Sequence, residues 1–515
     1  MLLAEVVATS AAVAATRSRT AKSTALADLL RRADADEVEA VASWLSGETL
    51  QGRVGVGWRT LAAAQVAPAA ESSLTVGAVD SALGTLAATT GAGSARRRDG
   101  LLGDLLGAAT ADEQRFLVAL LTGELRQGAL EGLVLDAVAR AAELPVATVR
   151  RAFMLSGRLP RTAALALAQG AAGLEAVRLE VGRPVRPMLA SPGSSLAEAL
   201  TALGEDVTVE FKLDGARIQV HRDGDVVRVW TRTLREVTDA VPELVARIRA
   251  LPCTRAVLDG ETLALDDDGR PRAFQDTMSR FGSAGPGEAD ALLSPFLFDL
   301  LHLDGRDLID EPLHERLDAL AGLLTADEHA PLRMPGVRRP TPEQAETVLD
   351  DALGAGHEGV VVKDLTAPYA AGRRGKAWQK VKPVHTLDLV VLGAEWGYGR
   401  RTGSLSNIHL GALDADGEPV MVGKTFKGMT DELLAWQTAT FPALAREPGT
   451  DGPVVALRPE LVVEVAVDGA QRSVRYPGGV ALRFARVLRY RSDKTPAEAD
   501  TLDAVRALLA GGATG

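Results

Sequence analysis

Residues 207–214 alternate apolar and polar side chains, and this alternation predicts the first well-defined element of the chain. Apolar residues stand at positions 207, 209, 211 and 213, and Thr208, Glu210, Lys212 and Asp214 stand between them. Successive side chains of a β-strand point to opposite faces, so Lys212 shares one face with two carboxylates. An amine fixed on a strand beside charged groups is a candidate nucleophile, and a salt bridge is an equally good explanation.

Length and composition bound what the chain can be. Its 515 residues are enough for about three domains. A net charge of −11 argues against a generally basic DNA-binding protein but allows a local basic groove. The single cysteine, Cys253, excludes an internal disulfide framework and multi-cysteine zinc sites, and it favours a cytoplasmic location. The apolar residues 1–15 predict an amphipathic helix and not a signal peptide, because Glu5 stands where basic residues are expected.

Residues 1–185 predict an all-α N-terminal domain that contains an internal repeat. Alanine and leucine are abundant there and follow helical spacing. The segment 46–52 is echoed by the segment 122–128, and each follows an apolar run, which indicates two similar helix–loop units. The glycines of both segments would let a phosphate backbone approach closely, or they would simply end helices. The sequence favours neither explanation over the other.

Proline and glycine residues near 184–193 and near Pro383 predict two domain boundaries. Between them, strands such as 226–230 alternate with helices, which predicts an α/β domain with mixed antiparallel pairing over residues 186–384. Residues 385–515 contain short strands, including 481–490, around one helix at 430–440. This pattern predicts a C-terminal β-barrel of the OB-fold type.

Several chemically distinctive residues follow the Lys212 strand in a fixed order. They are Asp214, Gly215, Arg217, Arg232, Glu261, Phe298, Glu358, Arg374, Lys380, Lys382, Arg491, Asp493 and Lys494. Taken singly, each has a structural explanation: a strand phenylalanine is usually core, and a basic run is usually a solvated face. The order of the whole set makes a purely structural explanation improbable.

This ordered set resembles the motifs of ATP-dependent DNA ligases, which belong to the covalent nucleotidyltransferases. The resemblance covers residues 185–495, and the helical region resembles the DNA-binding domain of the larger three-domain cellular ligases. It implies an enzyme, expected to be monomeric, that seals nicks in duplex DNA during replication, repair or recombination. AMP would pass from the enzyme to a 5′-phosphate, and the adjacent 3′-hydroxyl would then displace it.

The resemblance also implies a role for each residue of the set. Lys212 would attack the α-phosphate of ATP, release pyrophosphate and carry AMP as a phosphoramidate. Glu210 would lie beside the adenine, and Phe298 would stack on it. The cations expected at the ribose or phosphates are Arg217, Arg232, Arg374, Lys380 and Lys382. Of these, Arg217, Arg232, Lys380 and Lys382 would also disfavour the charged form of the Lys212 amine, which must lose a proton before it attacks.

Two further groups complete the implied site. Glu261 is expected at the nucleotide and, with Glu358, at a Mg²⁺ ion, because hard cations prefer carboxylate oxygen. The terminal segment with Arg491, Asp493 and Lys494 is expected to meet the pyrophosphate of ATP. The C-terminal domain would then rotate to hold DNA.

The sequence can be compared with several alternatives to this function. An RNA ligase or a GTP-dependent capping enzyme would share the Lys212 strand, although the long helical domain favours a ligase that encircles duplex DNA. An NAD-dependent ligase is disfavoured because the chain lacks the cysteines of that family's zinc module. A non-catalytic nucleic-acid-binding protein is disfavoured because no expected catalytic position is missing. If the domain division is right, removal of residues 1–185 would weaken DNA binding and leave self-adenylation largely intact.

Overall fold

A computed structural model describes residues 1–52, 54–64, 66–125, 127, 131–272, 274–282, 292–371, 376–398, 401–447 and 452–509. They form a helical N-terminal region, a central region of two sheets with helices, and a strand-rich C-terminal region. This order matches the predicted order of the three regions.

Among the described residues, the N-terminal region contains helices and turns around one apolar core. The helices are α1 (Leu3–Ala15), α2 (Arg19–Arg32), α3 (Val38–Ser46), α4 (Trp58–Ala63), α5 (Val76–Ala88), α6 (Ser94–Gly107), α7 (Ala111–Leu121), α8 (Glu131–Ala141), α9 (Val146–Ser156) and α10 (Leu159–Glu175). None of the helices described in this chain combines the length and apolar character needed to cross a bilayer.

The two echoed segments both follow a helix that ends at a left-handed glycine. Gly47, after α3, has φ +88°, and Gly123, after α7, has φ +70°. A left-handed residue closes a helix at little cost only when it is glycine, so both glycines act as helix caps. The buried amide of Gln127 in the second segment also donates to the carbonyl oxygen of Leu45 in α3, at 2.5 Å. Contact of these loops with a phosphate backbone stays a prediction.

The central region contains two five-stranded sheets, ordered β1-β10-β9-β2-β8 and β4-β3-β5-β6-β7. The strands are β1 (Ser191–Pro192), β2 (Val207–Lys212), β3 (Ala216–Asp223), β4 (Val226–Thr231), β5 (Arg255–Ala264), β6 (Leu293–Leu303), β7 (Arg306–Asp307), β8 (Gly336–Arg338), β9 (Gly359–Asp364) and β10 (Trp378–Val381). The helices are α11 (Leu196–Leu203), α12 (Pro242–Arg249), α13 (Phe274–Gly282), α14 (Leu313–Leu323) and α15 (Pro342–Gly354). All pairings are antiparallel except β1 with β10, which agrees with the predicted mixed antiparallel α/β domain.

The alternation of β2 places its two faces in different surroundings. Val207 and Val209 pack in a core with α11 and α15. Thr208 and Glu210, on the opposite face, are also buried, at 2% and 5% exposure, because that face looks into the space between the two sheets. The strand ends at Lys212, so Asp214 does not continue its polar face as the alternation predicted.

The C-terminal region has a six-stranded sheet and a separate two-stranded sheet. The strands are β11 (His385–Trp396), β12 (Leu405–Leu413), β13 (Pro419–Thr425), β14 (Val454–Ala456), β15 (Val462–Val467), β16 (Gly469–Arg472), β17 (Val480–Arg483) and β18 (Arg486–Tyr490), with helices α16 (Asp431–Thr440) and α17 (Leu502–Arg506). The helix predicted at 430–440 is confirmed as α16. The strand predicted at 481–490 is wrong as one element: it breaks at Phe484, whose φ of +53° does not fit a strand. Over the described residues neither sheet closes on itself, so the predicted barrel is not seen as a closed sheet.

A charged cluster on this sheet predicts how stability depends on pH. Burial alone would raise the pKa of Glu395, but hydrogen bonds from Lys424, Asn407 and His409 together lower it from 4.5 to about 2. A carboxylate with a depressed pKa stabilises the fold above its unfolded pKa, and this contribution is lost as pH falls from about 4.5 toward 2. We expect Glu395→Gln to reduce the loss of stability over this range, as measured by urea unfolding at several pH values. The exposed Glu432→Gln is the control, and an unchanged pH dependence in Glu395→Gln would contradict the assignment.

The helical region shares a buried core with the central region. Met154 and Leu155 of α9 are 3% and 0% exposed and lie in one apolar cluster with Phe298, Tyr369 and Trp378. The sulfur of Met154 also accepts a hydrogen bond from the backbone N–H of Ala371, at 3.2 Å. The segment after α10 belongs to the same cluster through its apolar residues, which are Leu179, Val185 and Met188. The boundary at residue 185 stays a prediction, and a cut there would remove part of this shared core.

We therefore expect Met154→Ala to slow the self-adenylation that the resemblance implies, as well as to destabilise the protein by about 2–5 kcal/mol. The reason is that the side chain packs behind residues that line the central cavity. Leu135→Ala is the control, because Leu135 is 1% exposed in the core of the helical region alone. It should destabilise the fold without slowing transfer of AMP from labelled ATP. If Met154→Ala and Leu135→Ala slowed AMP transfer equally, the proposed effect of the shared core on the cavity would be contradicted. By the same argument, removal of residues 1–185 should impair self-adenylation, contrary to the expectation from sequence.

Candidate active site

A cavity of about 460 Å³ lies between the two central sheets. It collects residues from both sheets and from the loop that joins β2 to β3. Residues singled out from the sequence that line it are Glu210, Lys212, Gly215, Arg217, Arg232, Glu261, Phe298 and Lys380. Residues separated by up to 170 positions in the chain thus meet in one concave, charged space, which is typical of a ligand site.

Gly215 allows the chain to pass from one sheet to the other beside the cavity. A Cβ atom on this residue would lie 2.4 Å from the carbonyl oxygen of Thr262 in β5, which is closer than any side chain tolerates. The glycine therefore keeps the end of β2, with Lys212, close to β5, with Glu261.

Lys212 has a carboxylate as its nearest charged partner. Its Nζ contacts Oε2 of Glu358, and the two side chains are 20% and 15% exposed. The contact is fixed by the backbone, because the N–H of Glu358 donates to the carbonyl oxygen of Lys212 at 3.0 Å. Lys382 approaches the same carboxylate, with Nζ 4.0 Å from Oε1. The cations predicted around Lys212 are therefore not its nearest charged neighbours, because Glu358 forms a direct ion pair with it.

Arg217 is held by a buried carboxylate. Its Nε and Nη2 donate to Oδ1 and Oδ2 of Asp259, both at 2.6 Å, and Asp259 is fully buried. Burial lowers the pKa of Arg217, but the Asp259 carboxylate more than offsets this and raises it overall. The guanidinium carbon lies 4.6 Å from the ring centroid of Phe298, so Arg217 also contacts that aromatic ring.

Glu210 forms a buried pair with a lysine that sequence reasoning left out of the site. Its Oε2 accepts from Nζ of Lys363 at 2.5 Å, and burial raises the pKa of Glu210 although Lys363 opposes that shift. The same Nζ lies 4.2 Å from the centroid of the Phe298 ring. The missed signal is the alternation of β9: Val360 and Val362 pack in the core, and Val361 and Lys363 line the cavity. Two cations thus contact the Phe298 ring, which is 6% exposed, and its stacking on adenine stays a prediction.

The remaining predicted residues of the central region differ in their surroundings. Burial raises the pKa of Glu261 to about 7, against the opposing effects of Arg217 and Lys212. Arg232 is exposed at the cavity wall. Lys382 lies just beyond β10, where its Nζ is 2.6 Å from Asp468 of the C-terminal region. Arg374 lies outside the residues that the structure describes.

The terminal segment does not reach the cavity. Arg491 donates from Nη1 to both oxygens of Asp388, at 3.1 and 2.9 Å, and Lys494 donates to the same carboxylate at 2.7 Å. Arg491 also pairs with Asp493, and this hydrogen bond lowers the pKa of Asp493. None of these three predicted residues lines the cavity, so the structure does not bring them to Lys212.

A different C-terminal cation reaches the loop beside Lys212. Arg483, at the end of β17, forms a two-point ion pair with Asp214, and the side chains are 14% and 17% exposed. This hydrogen bond raises the pKa of Arg483. With the Lys382–Asp468 pair, it gives two ionic contacts between the C-terminal region and residues of the central region that adjoin the cavity lining. Residues 214 and 483 are far apart in the chain, and no local pattern links them.

Comparison with known proteins gives one consistent result. Three family descriptions match: DNA ligase N terminus over residues 60–139, ATP dependent DNA ligase domain over 187–382, and ATP dependent DNA ligase C terminal region over 401–494. The chain is 63% identical to a probable DNA ligase of Rhodococcus opacus over 512 residues, covering 99% of this chain and 100% of the relative. It is 61% identical to a probable DNA ligase of Nocardia farcinica, again covering 99% and 100%. The solved structure of Pmar-Lig_PreS3 shares the fold, with a TM-score of 0.61 at 18% identity over 94% of this chain and 99% of that one.

Proposed function

The chain belongs to the ATP-dependent DNA ligases, and on this premise we propose that Lys212 is the residue that carries AMP. The observation that supports this most is the position of Lys212 at the end of β2, in a cavity with a buried carboxylate, an aromatic ring and several cations. AMP needs such a site, because its base is aromatic and its phosphate is anionic.

The first chemical step forms a bond between Nζ of Lys212 and the α-phosphorus of ATP and breaks the bond to pyrophosphate. The amine must lose a proton before it attacks. Oε2 of Glu358 is in contact with the amine and is therefore placed to accept that proton. Lys380 lines the same cavity, and Arg217 is held rigidly in its wall. Both are suited to stabilise negative charge that develops on the phosphate oxygens.

The carboxylates near Lys212 fit a divalent cation only as part of a larger set of ligands. Within the described ranges, no three acidic, histidine or cysteine side chains cluster in the way a preformed metal site requires. Mg²⁺ commonly binds through one or two carboxylates together with substrate phosphates and water. We propose Glu261 and Glu358 as those carboxylates. When bound, the ion would neutralise charge on the phosphates and orient the leaving group.

We also propose that the arrangement of domains seen here belongs to the DNA-bound stages of the reaction. Arg491 and Lys494, the cations expected at pyrophosphate, are paired with Asp388 and lie away from the cavity. Arg483 instead contacts the loop beside Lys212. Rotation of an OB-type C-terminal domain about residues near 384 would bring Arg491 and Lys494 to the cavity in the first step. It would place Arg483 there in the DNA-bound stages.

Nicked duplex DNA is the proposed substrate, with the helical region as its main binding surface and a single chain as the active unit. Sealing of a labelled nick should require ATP and a divalent cation, and it should be much faster on nicked DNA than on nicked RNA. GTP should not replace ATP. A preference for nicked RNA would indicate an RNA ligase, and labelling of the protein by GTP alone would indicate a capping-type enzyme. Either result would contradict the proposal.

A further inference from the structure

Tyr369 lies behind the cavity and has no role in the proposed reaction. It is 2% exposed and precedes β10 in the chain. Its ring meets the ring of Trp378 edge to face, with centroids 6.1 Å apart. An apolar ring would satisfy this packing, so the hydroxyl group needs a separate explanation.

The hydrogen bonds of that hydroxyl have a defined direction. Its oxygen accepts from the backbone N–H of Met188 at 3.0 Å, and it lies 2.6 Å from Oδ2 of Asp259. A hydroxyl that accepts from an N–H still has one proton to donate, and a carboxylate only accepts. The Tyr369 proton is therefore directed to Asp259. Burial raises the pKa of Tyr369, and the adjacent carboxylate raises it further, so the hydroxyl remains a donor.

Asp259 passes this constraint to Arg217. Its two oxygens accept from Nε and Nη2 of Arg217, and Oδ2 accepts from Tyr369 as well. Nη2 of Arg217 also donates to the carbonyl oxygen of Met188 at 3.2 Å. Met188 and Tyr369 thus fix one side of the arginine fork. The remaining nitrogen, Nη1, has no hydrogen-bond partner among the described residues, and Arg217 lines the cavity. Nη1 is therefore the donor left for a ligand oxygen.

We propose that Tyr369 is a positioning residue, which orients Arg217 toward the nucleotide through Asp259. This inference rests on the proposed role of Arg217 at the phosphates or ribose. A planar guanidinium recognises an oxyanion only when its plane is correctly oriented, so a small rotation of the fork weakens the contact. In this relay, Tyr369 and Asp259 restrict the rotation of Arg217 without touching the substrate themselves.

The test is a double-mutant cycle that measures single-turnover transfer of AMP from labelled ATP to the full chain. Tyr369→Phe keeps the ring and removes the hydroxyl, and it should lower the rate constant divided by the apparent KM for ATP about tenfold. Arg217→Lys keeps the charge and removes the fork, and it should lower this ratio further. If Tyr369 acts through Arg217, the double variant should be no more than about twofold slower than Arg217→Lys alone.

Two controls separate positioning from stability. Tyr490→Phe removes the hydrogen bond of a partly buried tyrosine, to Gln437 at 2.9 Å in the C-terminal region, and should leave the rate unchanged. If Tyr369→Phe does not fold, Asp259→Asn takes its place in the cycle. Asp259→Asn keeps the shape of the side chain that links Tyr369 to Arg217, and its effect should likewise not add to that of Arg217→Lys. Thermal unfolding identifies any variant that has lost its fold.

The possible outcomes are distinct. Effects of Tyr369→Phe and Arg217→Lys that multiply in the double variant would overturn the relay, and so would a wild-type rate for Tyr369→Phe. A wild-type rate for Arg217→Lys would instead refute the proposed role of Arg217 itself. An impaired Arg217→Lys with no further loss on Tyr369→Phe would support the relay.

Discussion

Replacement of Lys212 by alanine is expected to lower the rate of nick sealing by ATP at least about 10⁴-fold, because it removes the proposed carrier of the AMP. Lys212 is the only one of the expected residues that forms a bond to phosphorus in the proposed reaction. The measurement is the rate of joining of a labelled nick under saturating ATP. Circular dichroism and thermal unfolding should show that the variant is folded, because Lys212 is partly exposed at the end of its strand.

The matched comparison uses DNA that already carries AMP on the 5′-phosphate of the nick. The final step needs only attack by the 3′-hydroxyl on this adenylated phosphate, so Lys212→Ala should retain measurable joining of that substrate. Loss of both reactions to the same extent would mean that Lys212 acts on DNA or on the fold, and not as the acceptor of AMP.

Replacement of Arg483 by alanine is expected to slow sealing of a pre-adenylated nick by about 10- to 100-fold, because it leaves Asp214 without its partner at a domain contact. Both side chains are mostly shielded from water, so the pair is stronger than an exposed ion pair. The first step should be spared, since Arg483 is proposed to act after pyrophosphate has left. Pre-steady-state joining of adenylated DNA and labelling by ATP measure the two stages separately.

Arg489→Ala is the matched control for this variant. Arg489 lies on β18, the next strand along the chain, and pairs with Glu464 while its side chain is 64% exposed. Arg489→Ala also removes a positive charge from the C-terminal region, but Arg489 makes no ion pair with Asp214. Joining should therefore stay close to the wild-type rate. If Arg483→Ala slowed labelling by ATP more than joining, the contact would belong to the first stage and the proposed order of domain positions would be reversed.

The sequence predicted those parts of the fold that depend on local periodicity. The alternation at 207–213 identified β2, and the helical spacing before residue 185 identified the N-terminal region. The predicted strand at 481–490 failed because its break depends on a left-handed Phe484, and a phenylalanine gives no local sign of such a backbone. The barrel prediction depended on how strands pair at long range, which short-range patterns do not determine.

For the site, the sequence predicted some of the residues that lie in the cavity but not their interaction partners. Part of the ordered set meets in the cavity, including Lys212, Glu261 and Lys380, whereas Arg491, Asp493 and Lys494 do not line it. The partners of those residues did not follow from the order of the motifs. Lys212 meets Glu358 before any cation, and Asp214 meets Arg483, a residue 269 positions away. Lys363 was within reach of sequence reasoning, since it follows Val361 at a spacing of two on β9.

The most direct test of the proposed site is to locate AMP on the protein. The purified chain would be incubated with ATP and Mg²⁺ and examined by intact-mass and peptide mass spectrometry, and the modified protein would then be mixed with nicked duplex DNA. The proposed role of Lys212 predicts one AMP on the peptide that contains this residue, and loss of this AMP when the nicked DNA is added. AMP on any other residue, or AMP on Lys212 that nicked DNA does not remove, would contradict it.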